Sequence, residues 1–159
     1  MPAPSEIRLW LAEGAGDLGH VRELFLEYGA SLDFDLCFQG FDGELAVLPG
    51  AYGPPRGRLF LASADGKLAG GVGLRPLGAD TSEMKRLYVR PEFQGRGLGR
   101  RLAEATIEAA REIGYRRMRL DTIANMCAAQ ALYRSLGFTE IPPYYDNPLE
   151  GVVYFELKL

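Results

Sequence analysis

The sequence predicts one α+β domain built on a mixed, mostly antiparallel sheet of about seven strands. Three observations carry that reading. Asp65-Gly66 separates two strand-like stretches, 58–63 and 67–74, which is a strong hairpin signal. A helix-period segment from Gly99 to about Ile113 lies between a strand ending at Val89 and another at 117–121. A helix crossing between two strands of one sheet makes them parallel. Finally, 159 residues with 47% apolar content supply one core, so residues 1–159 read as a single domain.

The elements follow in order. Glu6 to Leu11 alternates and opens the sheet, and Gly14 to Asp17 reads as a loop with Asp17 as N-cap. Val21, Leu24, Phe25 and Tyr28 recur at helical spacing, which predicts a helix over 18–31. Residues 32–53 are irregular, with a short helix over 44–48 before Pro49-Gly50. Phe34, Phe38 and Phe41 stand there among acids, either lining a pocket or capping the core. After the break at Pro54-Pro55, strands at 58–63, 67–74 and 81–89 form an antiparallel run. The next helix points Leu102, Ala105, Ile107, Ala109 and Ile113 inward and ends at Gly114, a good C-cap. A strand over 117–121 precedes a helix over about 126–136, which stops at Gly137. Strands at 138–141 and 152–158 close the chain, joined by the Pro- and Tyr-rich loop 142–148.

Composition excludes several functions. No run approaches the ~20 apolar residues of a membrane span, and the N-terminus lacks a basic-then-apolar leader pattern. Cys37 and Cys127 are isolated and read as packed free thiols of a cytoplasmic protein. The single histidine, His20, leaves no multi-histidine metal site and reads as a surface or helix-packing residue. A net charge of −3 argues against nucleic-acid binding through bulk electrostatics. The charge is unevenly spread. Residues 1–48 hold nine acids against Arg8 and Arg22, whereas residues 83–101 hold six bases against two acids.

The basic stretch carries the chemistry. Pro91 stops strand pairing, and Gly95, Gly97 and Gly99 follow at every second position into a helix. A glycine-spaced loop feeding a helix N-terminus offers unpaired amides and a positive dipole end, which suit phosphate. Arg96, Arg100 and Arg101 add positive charge there. Three readings compete: a ligand-free turn, a nucleotide loop and a dinucleotide fingerprint. No lysine and hydroxyl follow the glycines, which removes the Walker loop. The third glycine comes one residue early for a Rossmann fingerprint, although Asp121 could pass for its acid.

The full string Val89-x-Pro91-x-x-Gln94-Gly95-Arg96-Gly97-Leu98-Gly99 resembles the acetyl-CoA pyrophosphate loop of the GNAT superfamily of N-acetyltransferases. Ala129-x-x-Leu132-Tyr133-x-x-x-Gly137-Phe138 is similar to a second motif of that family. The family asparagine before it falls at Met126 here, with Asn125 the nearest asparagine. The element order also matches, over roughly residues 6–159. The resemblance implies helices on both faces of the sheet and acetyl-CoA as acyl donor, with no metal. It implies a cofactor site of Leu87, Tyr88, Val89, Gln94, Gly95, Arg96, Gly97, Leu98, Gly99, Arg100, Asn125, Ala129, Tyr133 and Arg134. Tyr133 is then the general acid for the leaving thiolate, or else a core tyrosine. Glu83 is the base that takes the amine's proton, or else a surface carboxylate paired with Lys85.

The expected reaction moves an acetyl group to a primary amine of a small molecule by direct attack in a ternary complex. The alternatives are a sensor module that holds acyl-CoA without turnover, and acetylation of a protein or peptide amine. Tyr28, Phe38, Phe41, Tyr144 and Tyr145 are candidates to face the acceptor, with Tyr144 and Tyr145 otherwise solvated turn residues. The acidic first segment, with Asp146 and Glu150 in the last loop, suggests an acidic entrance and a cationic acceptor. The expected assembly is a monomer or homodimer, with neither nucleic acid nor membrane as partner.

Overall fold

A computed structural model describes residues 6–32, 36, 40–124 and 126–159. Phe34, Cys37, Phe38 and Asn125, for which the sequence raises expectations, lie outside the described residues. The elements are β1 (Ile7–Leu11), α1 (Gly14–Ala30), α2 (Phe41–Ala46), β2 (Arg58–Ala64), β3 (Lys67–Pro76), β4 (Thr81–Val89), α3 (Leu98–Ile113), β5 (Arg117–Ile123), α4 (Cys127–Ser135), β6 (Thr139–Ile141) and β7 (Val152–Lys158). Short 3₁₀ turns stand at Gly50–Tyr52 and Pro91–Phe93. The sheet runs β1-β2-β3-β4-β5-β7-β6. Every neighbouring pair is antiparallel except β4 with β5, which the α3 crossover makes parallel.

Strand alternation divides the core into two layers. Leu59 and Leu61 of β2 pack with Val21, Leu24 and Phe25 of α1 and with Phe41 and Leu45 of α2. Ala62 and Ala64 face the other way, into a cluster with Leu102, Ala103, Ile107 and Ala110 of α3. Helices therefore cover both faces. Within α3, Ala105 and Ile113 are only half-buried, and Ala103, Thr106 and Ala110 take the inward stripe instead.

Three boundaries differ from expectation for local reasons. Helix α1 begins four residues early, because the Asp17 carboxylate turns back to accept the Glu13 amide at 2.9 Å and orders the glycine-rich turn. Helix α2 starts at Phe41, where Gly40 at φ 69° allows a sharp entry and Phe41 and Leu45 bury one turn apart. Helix α3 begins at Leu98, immediately after Gly97 at φ 80°. Cys127 is exposed at the start of α4 rather than packed. His20 lies on the exposed side of α1, as expected. Among the described residues, no helix is long and apolar enough to cross a membrane.

Candidate active site

The site is a gap in the sheet. Strands β4 and β5 are partnered only from Thr81–Glu83 to Arg117–Arg119. Beyond that they part, and a cleft of about 300 Å³ opens between them. Its walls are Met84–Val89 of β4 and Leu120–Ile123 of β5, with Ala129 and Tyr133 from α4 and Tyr28 from α1.

A β-bulge bends β4 at this point. Gly71 faces Tyr88 and Gly73 faces Lys85, so Arg86 and Leu87 together oppose Val72. Arg86 takes up the extra length with φ 61°, in the left-handed region that non-glycine residues seldom adopt. Its guanidinium is held by both oxygens of Glu44 at 3.1 and 3.3 Å and packs over the Phe41 ring, 5.0 Å from its centroid. Residue Arg86 is 4% exposed, so its charge needs that carboxylate.

At one end of the cleft, the Gln94 side chain donates to the Val89 carbonyl at 3.1 Å and folds the loop back on β4. Gly95 and Gly97 stand at φ 84° and 80°. A Cβ at either would meet no protein atom within 4 Å, so the left-handed backbone is what the fold itself requires of them. Gly99 differs: it packs against Leu132 and Val89 with ordinary backbone angles. No side chain caps the N-terminus of α3, leaving its first amides open to an anion. Leu98 is buried in the core and anchors that turn rather than lining it. Arg96 pairs with Asp65 at 3.0 Å, and Arg100 donates to the Ser135 hydroxyl. Arg134 is turned toward Glu140 and the Phe155 ring.

The two expected catalytic residues part company. Tyr133 lines the cleft, is 7% exposed and is wedged between Phe138 and Phe155. Burial pushes its phenol pKa well up, so it keeps its proton throughout the neutral range. Glu83 is 2% exposed and stands behind the wall, not on it. Its Oε1 accepts from Arg75 Nε at 2.8 Å and its Oε2 from the Tyr144 hydroxyl at 2.6 Å. Neither the surface carboxylate nor a carboxylate open to an amine describes it.

The carboxylate on the wall is Asp121, in the half of β5 that has parted from β4. It accepts from the Tyr145 hydroxyl at 2.6 Å and faces Lys85 Nζ at 3.5 Å. Lys85 and Asp121 escaped the sequence reading as site residues. The available signal was that Asp121 ends a strand just after a crossover, where open sheets bind ligands.

The acceptor-side expectations fare unevenly. Tyr28 lines the cleft, with Arg86 beneath its ring. Phe41 is buried under Arg86 and does not reach the cleft. Tyr144 and Tyr145 stack with Tyr154 and aim their hydroxyls at Glu83 and Asp121. They are not solvated turn residues. None of the described acids of residues 6–48 lines the cleft, Asp33 and Asp35 lie outside the described residues, and Asp146 and Glu150 are exposed outside it. Glu23 and Glu27 are taken up by Arg90, and Glu44 by Arg86. Among the described residues, the charged side chains on the wall are Lys85, Arg86 and Asp121.

Residues 22–138, which hold both strands of the gap, the loop and α4, match the model of the acetyltransferase (GNAT) family. The chain belongs to this family. An uncharacterized N-acetyltransferase of Schizosaccharomyces pombe is 40% identical to this GNAT chain over 100% of it and 99% of the relative. One of Escherichia coli is 33% identical over 87% of this chain and 84% of that protein. The solved structure of a Salmonella typhimurium acetyltransferase with its cofactor acetyl-CoA has TM-score 0.72 at 21% identity, covering 96% of this chain and 93% of that one. That likeness is one of GNAT fold.

Proposed function

We propose that this acetyltransferase moves the acetyl group of acetyl-CoA to a primary amine of a small molecule by direct attack. The observation that carries the reading is the parting of β4 and β5 beyond Glu83, with Tyr133 in the wall and the uncapped end of α3 at one mouth. The open edge of β4 at Leu87–Val89 can pair with an extended pantetheine arm as with another strand. Gly95, Gly97 and the first amides of α3 suit a pyrophosphate, with Arg96 and Arg100 beside them. A backbone amide of β4 near Val89 would stabilise the carbonyl oxygen as it gains charge.

In the transfer, the amine nitrogen attacks the thioester carbonyl carbon, the C–N bond forms and the C–S bond breaks. Tyr133 gives its proton to the departing thiolate. Asp121 takes the proton of the amine, since it is the carboxylate on the wall. Glu83, clamped by Arg75 and Tyr144, supports that wall from behind.

The test is initial-rate kinetics with both substrates varied. Intersecting double-reciprocal lines, with no acetylated enzyme when the amine is omitted, are expected. Parallel lines with an isolable acetyl-enzyme would remove direct attack.

A further inference from the structure

Lys85 and Asp121 form an ion pair across the gap itself. Lys85 comes from β4, Asp121 from β5, and both lie just beyond the last rung that joins those strands. Their side chains are only 5% and 12% exposed, yet both line the cleft. The Nζ–Oδ1 distance of 3.5 Å is longer than a good hydrogen bond between charged groups. Asp121 is held in place from its other oxygen by the Tyr145 hydroxyl at 2.6 Å, and Asn147 donates to that hydroxyl at 2.9 Å. Asn147 is fixed in turn by the Leu149 amide at 3.0 Å. The pair is thus built into the fold from both strands and from the last loop.

We propose that the acceptor is an amine with a carboxylate on a neighbouring carbon, an amino acid or a close analogue, which binds by exchanging partners with this pair. The proposal rests on the acetyl-transfer reading above. The arriving ammonium meets Asp121 and the arriving carboxylate meets Lys85. An α-amino carboxylate holds its opposite charges about as far apart as the pair does. The exchange is like for like: two charges that neutralised each other are each neutralised by the ligand. No charge is left buried and unpaired, the outcome that costs most in a closed site. Asp121, now beside the ammonium, accepts the proton that must leave before the nitrogen can attack, and the second nitrogen proton returns to Tyr133 after it has protonated the thiolate.

The rest of the wall favours the same class. Among the described residues the remaining charged side chain of the cleft is Arg86, so the lining holds two cations and one carboxylate. Arg86 is already paired with Glu44 and brings no uncompensated charge, so a second positive group on the acceptor would face Lys85, whereas a carboxylate is attracted to it. Burial draws the Lys85 ammonium below the usual lysine range, and a carboxylate beside it would favour the charged form again.

The experiment compares kcat/KM for a panel of free amino acids with the matching amino acid carboxamides and with a polyamine, using wild-type protein and Lys85→Met. Acetyl-CoA binding is measured calorimetrically on both proteins. Wild type is expected to prefer the free acid over its carboxamide by ~10-fold or more, the effect of about 1.4 kcal/mol. Lys85→Met is expected to lose that preference, through KM for the acid. Equal or better rates with carboxamides or with the polyamine overturn the proposal and leave acetyl transfer standing. A protein that binds acetyl-CoA and acetylates no member of the panel overturns both. If Lys85→Met does not fold, the wild-type comparison decides alone.

Discussion

Glu83 and Arg119 are the last residues at which β4 and β5 are partnered. One residue further along each strand, Met84 and Leu120 already line a cleft. The rung at Glu83 thus marks the floor of the site, and the bulge at Arg86–Leu87 bends β4 just above it. The left-handed Arg86 is held by Glu44 from α2, so a short helix remote in sequence helps to set the shape of the gap.

That clamp predicts a large stability effect from a residue that does not line the cleft. Glu44→Ala leaves the Arg86 charge buried without its main partner, and breaking a buried pair this way costs about 3–5 kcal/mol. Urea unfolding should show that loss, with weaker acetyl-CoA binding in the folded fraction. A midpoint unchanged from wild type would show that Arg86 does not need Glu44.

The loop prediction uses the geometry of Gly97. Aspartate tolerates the left-handed backbone better than most residues, and a Cβ there meets no protein atom within 4 Å. Gly97→Asp should therefore fold while placing a negative charge at the α3 N-terminus, where an anion is expected. Calorimetric titration should show CoA affinity reduced by ~10²-fold or more, a shift of about 2.7 kcal/mol. Wild-type affinity in the folded variant would remove the loop from cofactor binding.

Tyr133→Phe keeps the ring against Phe138 and Phe155 and deletes only the proton donor. Turnover should fall by ~10²-fold or more, the usual scale of general acid–base work, with little change in acetyl-CoA affinity. Burial raises the Tyr133 phenol above its ordinary value, so the acid form persists past pH ~10. The wild-type kcat profile should consequently show no alkaline fall below about pH 10 from this group. Stability follows the same sign. The folded chain keeps phenolic protons that the unfolded chain releases above pH ~10, so stability is retained below that pH and declines above it. Unchanged turnover in Tyr133→Phe would leave the residue a packing role alone.

The two carboxylates should separate kinetically. Asp121→Asn is expected to cut kcat/KM sharply while acetyl-CoA affinity changes little. Glu83→Gln, whose change lies behind the wall, should lower the rate less. The reverse ranking would return the base to Glu83.

Much of the fold was legible because its signals are local. Asp65-Gly66 forms its turn from two residues, and the α3 stripe repeats with the helical period. The glycine loop and Tyr133 were legible for the same reason, as short motifs on a strand–loop–helix unit. The parting of β4 and β5 was not, because it depends on which rungs fail to pair between strands more than thirty residues apart. Nor was the burial of Glu83 by Arg75 and Tyr144, or the pairing of Lys85 with Asp121, since those partners meet only in the folded sheet. Counting acids along the first segment misled for that reason too: Glu27 and Glu44 are turned onto Arg90 and Arg86.

Acetyl-CoA bound in this gap is expected to give its acetyl group to a small amine. The most direct measurement is mass spectrometry of the purified protein incubated with ¹³C-acetyl-CoA and a library of small amines. One or more amines should gain the labelled acetyl group, matched by free CoA and lost in Tyr133→Phe. Acetyl-CoA bound tightly by the protein, with its label never appearing on any amine, would contradict it and mark the chain as a holder of the thioester instead.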